Sequence, residues 1–119
     1  MASIWQVVYY TFQEENPVSD FLDSLSPGQQ GKLLRIFHNI REHGLDSVIP
    51  HLKKLEGTPF WEIRILGKDN LRVIYIVPTQ FYVLLLHGFN KKKQKTPTRE
   101  LKKARNRFTE WKLSQELTG

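Results

Sequence analysis

The sequence predicts an α+β domain in the order β-α-α-β-β-β-α: an antiparallel sheet with a helical hairpin before it and a basic helix after it. Changes of hydrophobic period carry this prediction. Between Asn16 and Gly44 apolar residues recur at helical spacing. From about Gly57 to His87 three short apolar runs are divided by turn-length polar breaks, and after Pro97 helical spacing returns. No internal repeat, low-complexity tract or linker divides the chain, so residues 1–119 should form one domain.

The elements follow in order. Ile4 to Tyr10 is rich in β-branched and aromatic residues and reads as a strand. Asn16-Pro17 pairs an N-cap with the proline favoured at the first helical position, and Val18, Phe21, Leu22 and Leu25 follow at helical spacing. Ser26-Pro27 repeats the signal. Leu33, Leu34, Phe37 and Ile40 continue the period to Gly44, a C-terminal cap. The strands at Phe60–Leu66, Leu71–Val77 and Phe81–His87 are separated by Gly67-Lys68-Asp69-Asn70 and Pro78-Thr79-Gln80, the pattern of an antiparallel meander. Pro97 opens a last helix that should dock by its stripe of Leu101, Ala104, Phe108 and Trp111, with Lys102, Lys103, Arg105 and Arg107 around it.

A 39% hydrophobic fraction with three Trp, seven Phe and four Tyr argues for a packed core and against a disordered basic chain. No apolar run approaches the roughly 20 residues of a membrane span, and Met1 to Gln6 lacks the pattern of a secretory signal. Zero cysteines exclude disulfides, thiol chemistry and the commonest zinc sites. A cytoplasmic location and no membrane association are the expectation.

The charge is concentrated. Residues 91–112 hold ten Lys and Arg against Glu100 and Glu110, whereas the first 90 residues carry eight basic and nine acidic side chains. Such a local field steers polyanions, and nucleic acid is the first partner to consider. Its sharpest part is the loop from Gly88 to Pro97, with Lys91, Lys92, Lys93 and Lys95, which reads either as a solvated charge run or as an anion site.

Arg64 and Arg72 each interrupt a strongly apolar strand. They are either solvent-side charges, paired with Glu62, or a clamp whose planar guanidinium forks match phosphate oxygens. Register decides between these. A turn of three or five residues projects both arginines from one face, a strict four-residue turn over 67–70 puts them on opposite faces, and the odd-length turn is the expectation. His38, His43, His51 and His87 show no metal-ligand spacing. Of the four, His87, beside the lysines, is the one placed for acid–base work, against a plain structural role. With no nucleophile elbow, P-loop, dinucleotide fingerprint or evident carboxylate pair, the remaining chemistry is chemistry performed with cations.

Lys54-Leu55-Glu56-Gly57, Trp61-Glu62-Ile63-Arg64, Arg72-Val73-Ile74-Tyr75, Leu85-Leu86-His87-Gly88-Phe89, Lys91-Lys92 and Gln94-Lys95-Thr96-Pro97, continued by Glu100, Ala104 and Arg107, resemble the RelE/ParE toxin superfamily, and more narrowly its HigB-like branch of phage-derived Gp49-like proteins. The resemblance spans nearly the whole chain and implies a small RelE-like fold. It also implies the toxin of a type II toxin–antitoxin pair: an endoribonuclease that cleaves mRNA, commonly on the ribosome, needs no cofactor, and is inhibited by a cognate antitoxin protein. Arg64 and Arg72 match basic strand positions, and Lys91 and Lys92 match the basic pair after the last strand. Two departures stand out. Glu62 occupies a position where RelE has a lysine, though Glu is usual in the HigB-like branch, and the tyrosine that RelE carries shortly after its basic pair is missing.

In the expected reaction the RNA 2′-hydroxyl attacks the adjacent phosphate without a metal. Arg64, Arg72 and Lys91 or Lys92 stabilise the phosphoryl charge, and His87 or a lysine of lowered pKa serves as base. Lys53, Lys54, Lys93 and Lys95 are candidates for holding the RNA backbone. The competing expectations are a ParE-type toxin acting on DNA gyrase without catalysis and a plain RNA-binding module.

Overall fold

The computed structural model describes residues 4–92 and 95–118. Five strands form one sheet in the order β1-β5-β4-β3-β2, with β1 Gln6–Tyr9, β2 Leu52–Lys54, β3 Trp61–Ile65, β4 Leu71–Thr79 and β5 Tyr82–Asn90. Helices α1 (Pro17–Asp23) and α2 (Pro27–His43) precede β2, and α3 (Thr98–Thr118) follows β5. The expected order is present, with two additions: the short edge strand β2 and a 3-10 segment, Leu45–His51, that leads into it. The ladders between β2 and β5 are antiparallel, while β1 joins β5 in parallel after the two-helix crossover.

Both helix starts work as their sequences dictate. Asn16 Oδ1 accepts from the Ser19 amide at 3.2 Å. Ser26 and Gln29 form a reciprocal capping box, each side chain accepting from the other's amide. Gly44, at φ 85°, closes α2.

The sheet is buried on both faces, which explains the near-continuous apolar runs of β4 and β5. One face carries Ile63, Val73, Tyr75, Val83 and Leu85 against Val18, Leu22, Leu33, Phe37 and Ile40 of α1 and α2. The other carries Ile74, Ile76, Leu84, Leu86 and Phe89 against Ala104, with Leu101, Phe108 and Trp111 of α3 partly buried beside them. Strict alternation along β5 would put His87 on the α1/α2 face with Leu85. A bulge prevents this: Tyr75 pairs with Leu85 but Ile74 pairs with His87, so Leu86 is the extra residue and His87 and Phe89 move to the α3 face.

The same phase change turns Gly88 toward α1, where a Cβ would lie 2.2 Å from Phe21 Cδ2. Gly88→Ala is therefore expected to force Phe21 aside and destabilise the fold by about 1–3 kcal/mol. An unchanged urea midpoint would contradict this packing.

Candidate functional site: a cationic sheet face with a buried carboxylate

Ile65 and Leu71 close the β3–β4 ladder, so residues 66–70 make a five-residue turn and Arg64 pairs directly with Arg72. The odd-length turn holds, and both arginines project from the α3 face. Gly67 at φ 92° and Asn70 at φ 50° supply the left-handed backbone the turn needs. Asn70 also sets the start of the lysine segment: its carbonyl accepts from the Lys91 amide at 2.9 Å, and its side-chain amide donates to the Lys91 carbonyl. β5 extends to Asn90, so the segment presumed to be a loop from Gly88 is strand for its first three residues, and the turn away begins at Lys91.

Like charges directly opposite each other on a ladder repel. Here a carboxylate sits on the same face two residues before Arg64. Glu62 is 0% exposed, and its Oε1 lies 3.5 Å from Arg72 Nε and 3.9 Å from Lys91 Nζ. Its Oε2 accepts from Thr96 Oγ1 at 2.9 Å. Arg72, 4% exposed, donates through Nη1 to the Leu71 carbonyl at 3.0 Å and more loosely to the Ile65 carbonyl at 3.4 Å. Arg72 is thus a buried floor, contrary to the reading of it as a solvent-side charge.

Arg64 is half-buried, and its Nε finds no acceptor among the described residues; neither does Arg72 Nε within hydrogen-bond geometry. Arg72 and Lys91 therefore share the Glu62 carboxylate, Arg64 is the ladder partner of Arg72 on the same face, and the Nε donors of both arginines are left over for an anion.

The remaining candidates separate by depth and face. Lys91 is buried at 7% exposure, while Lys92 and Lys95 are exposed. Lys53 pairs with Glu62 and so belongs to the arginine face. Lys54 pairs with Trp61, projects to the opposite face and donates to the Thr58 carbonyl, so it is not brought to the cluster. Lys93 lies outside the described residues. Burial, and then the fields of Arg72, Lys53 and Arg64, push the Lys91 amine below its usual value, with Glu62 pulling the other way.

His87 is 7% exposed and fully engaged. Arg107 Nη1 lies 2.8 Å from Nδ1 and also donates to the Leu86 carbonyl at 3.0 Å. A guanidinium can only donate, so Nδ1 accepts, and Nε2 carries the proton that it gives to Glu100 Oε1 at 2.7 Å. The ring stacks on Phe89. His87 thus spends both nitrogens fastening α3 to β5, and the geometry leaves it no free lone pair for proton transfer.

The family model described as phage derived protein Gp49-like matches residues 20–109, well over half of the chain. The chain belongs to the Gp49-like family. The matched span contains Glu62, Arg64, Arg72, His87, Lys91, Thr96, Glu100 and Arg107. A search among curated proteins finds no match. Family membership supports a toxin of the toxin–antitoxin kind, with an antitoxin as its partner. No helix among the described residues of the Gp49-like protein is long and apolar enough to cross a membrane, and no group of three or more His, Cys, Asp or Glu residues there could hold a metal ion.

Burial is the first cause that lowers the His87 pKa below its ordinary 6.5, and Arg107 adds to it against the pull of Glu100. Glu100 is itself buried, which alone would raise it, but the His87 N–H, Lys103 and Arg99 bring it below 4.5. Both depressed values act in the same direction. At these two groups the unfolded chain binds more protons, so the stability that His87 and Glu100 contribute to the Gp49-like protein should be complete above about pH 6.5 and fall as acid titrates first unfolded-state His87 and then Glu100. Ring NMR should find the His87 midpoint below the ordinary 6.5; a midpoint above it would contradict the assigned tautomer.

Glu62, Thr96, Glu100 and Arg107 were not among the sequence-derived site residues. A strand glutamate two positions from an arginine was a usable signal for Glu62. The partners of His87 lie on another element, with no local pattern to connect them.

Proposed function

We propose that this protein is the toxin of a type II toxin–antitoxin pair and acts as a metal-independent endoribonuclease on mRNA in the cytoplasm, engaging it during translation. The observation that supports this most is the Arg64–Arg72 pair on one sheet face, with buried donors unsatisfied and Arg72 and Lys91 sharing a single carboxylate. A phosphate supplies the missing charge and acceptors.

In this reading Arg64 and exposed Lys92 contact the scissile phosphate from the surface, and Arg72 contributes charge from beneath. The 2′-oxygen forms a bond to phosphorus as the bond to the 5′-oxygen breaks. The 2′-proton passes to the Lys91 amine in its unprotonated fraction, which the lowered pKa enlarges, and the departing oxygen takes a proton from solvent. The products are a 2′,3′-cyclic phosphate and a 5′-hydroxyl. Charge gathering on the phosphoryl oxygens meets donors already in place, the effect that dominates such reactions. Lys91 is preferred to His87 as base because burial and its cationic neighbours favour the neutral amine, whereas both His87 nitrogens are occupied. Lys53 and Lys95 hold the flanking backbone. An acidic antitoxin segment would quench the same field.

Induction in cells with transcript-end mapping tests the reading. New 5′ ends within translated messages are expected from the wild type and should vanish in Arg64→Ala. Growth arrest with DNA damage and intact transcripts would replace the nuclease with gyrase poisoning. RNA binding that weakens steeply with salt and yields no products would leave a binding module.

A further inference from the structure

Glu62 is the only acidic residue in the five strands. Its carboxylate faces three other pieces of chain: Arg72 of β4, Lys91 just past β5, and Thr96 before α3. Its Oε1 has no hydrogen bond, so it acts on Arg72 and Lys91 at 3.5 and 3.9 Å through its field. A fully buried carboxylate with unused bonding capacity is costly, and an apolar residue would serve packing better.

We propose that Glu62 is a positioning residue of the nuclease site, whose carboxylate holds Arg72 and Lys91 together, ties Thr96, just ahead of α3, to the sheet, and sets the electrostatic surroundings of the Lys91 amine. The proposal rests on the RNA-cleavage reading of this face.

The charges around Lys91 make the consequence directional. Arg72 from β4, Arg64 from β3 and Lys53 from β2 favour the neutral amine, and Glu62 opposes them. From α3, Glu100 is turned to His87 and is engaged there. Without the Glu62 charge the amine loses its counter-ion and takes up a proton only at lower pH. The acid limb of cleavage should then move down in pH while the maximal rate falls, because Arg72 and Thr96 lose their common anchor. A merely structural Glu62 would lower the rate equally at every pH.

The test is NMR titration of the Lys91 side chain in full-length protein with labelled lysine, the resonance being assigned by Lys91→Arg. Cleavage of a synthetic RNA is measured over the same pH range. Glu62→Gln should move the Lys91 midpoint down by at least about one pH unit, carrying the acid limb of cleavage with it. Glu62→Asp, which keeps the charge but retracts it, should move both by less. If the Gln variant lacks the wild-type amide spectrum, the Asp variant is read in its place. A midpoint that stays put or rises in whichever variant folds overturns the proposal. A wild-type protein that cleaves no RNA overturns the nuclease reading instead; the two failures are distinguishable because the titration is read without RNA.

Discussion

Arg64→Ala is expected to lower RNA cleavage by about 10²–10³-fold, the usual loss when one preorganised donor to a developing oxyanion is removed. Its stability should stay near wild type. Arg64 is half-buried, its Nε bonds to no acceptor, and its nearest ladder partner is the like-charged Arg72. Deleting it therefore forfeits little native bonding and relieves some cross-strand repulsion. Arg72→Ala gives a less clean result, since that side chain also donates to the Leu71 carbonyl. Arg64→Lys should rescue only part of the rate, because an ammonium keeps the charge but not the planar fork. Initial rates at saturating RNA, beside urea denaturation of the same samples, separate these effects.

Glu62→Ala is expected to cost about 3–5 kcal/mol of folding stability, the penalty of leaving buried cations without their counter-ion. That is a large fraction of the roughly 5–15 kcal/mol typical of a domain. The direction follows from depth: Glu62 is 0% exposed, Arg72 4% and Lys91 7%, so solvent offers little screening at the cluster. Added inorganic phosphate should return part of the loss by binding only the folded state. A urea midpoint within the range of ordinary surface substitutions would contradict the assignment of Glu62 as the internal counter-ion.

Much of this was legible in the sequence, because it rests on local chemistry. Asn16-Pro17 and Ser26-Pro27 specify helix starts through caps that need no tertiary partner. The joint projection of Arg64 and Arg72 depends only on the parity of one turn, which five residues satisfy. Other features were set by contacts that sequence spacing does not encode. The extra residue Leu86 shifts the phase of β5, and without it His87 would face α1 and α2 rather than Glu100 and Arg107 of α3. The three-residue strand β2 is too short to show a period, although it is what puts Lys53 and Lys54 on opposite faces. Adjacent Lys91 and Lys92 look equivalent in the chain, but the first is buried toward Glu62 and the second stands in solvent. Depth of this kind comes from the docking of α3 and the segment before it, and no residue type announces it.

The most direct measurement is incubation of purified protein with a synthetic RNA in the presence of EDTA, followed by analysis of the product ends. Fragments with 2′,3′-cyclic phosphate and 5′-hydroxyl termini, formed by the wild type and reduced about 10²–10³-fold in Arg64→Ala, are predicted. Intact RNA both in this incubation and in a second one with translating ribosomes in Mg²⁺ buffer without EDTA, or cleavage that persists undiminished in Arg64→Ala, would contradict a phosphate site built on Arg64 and Arg72.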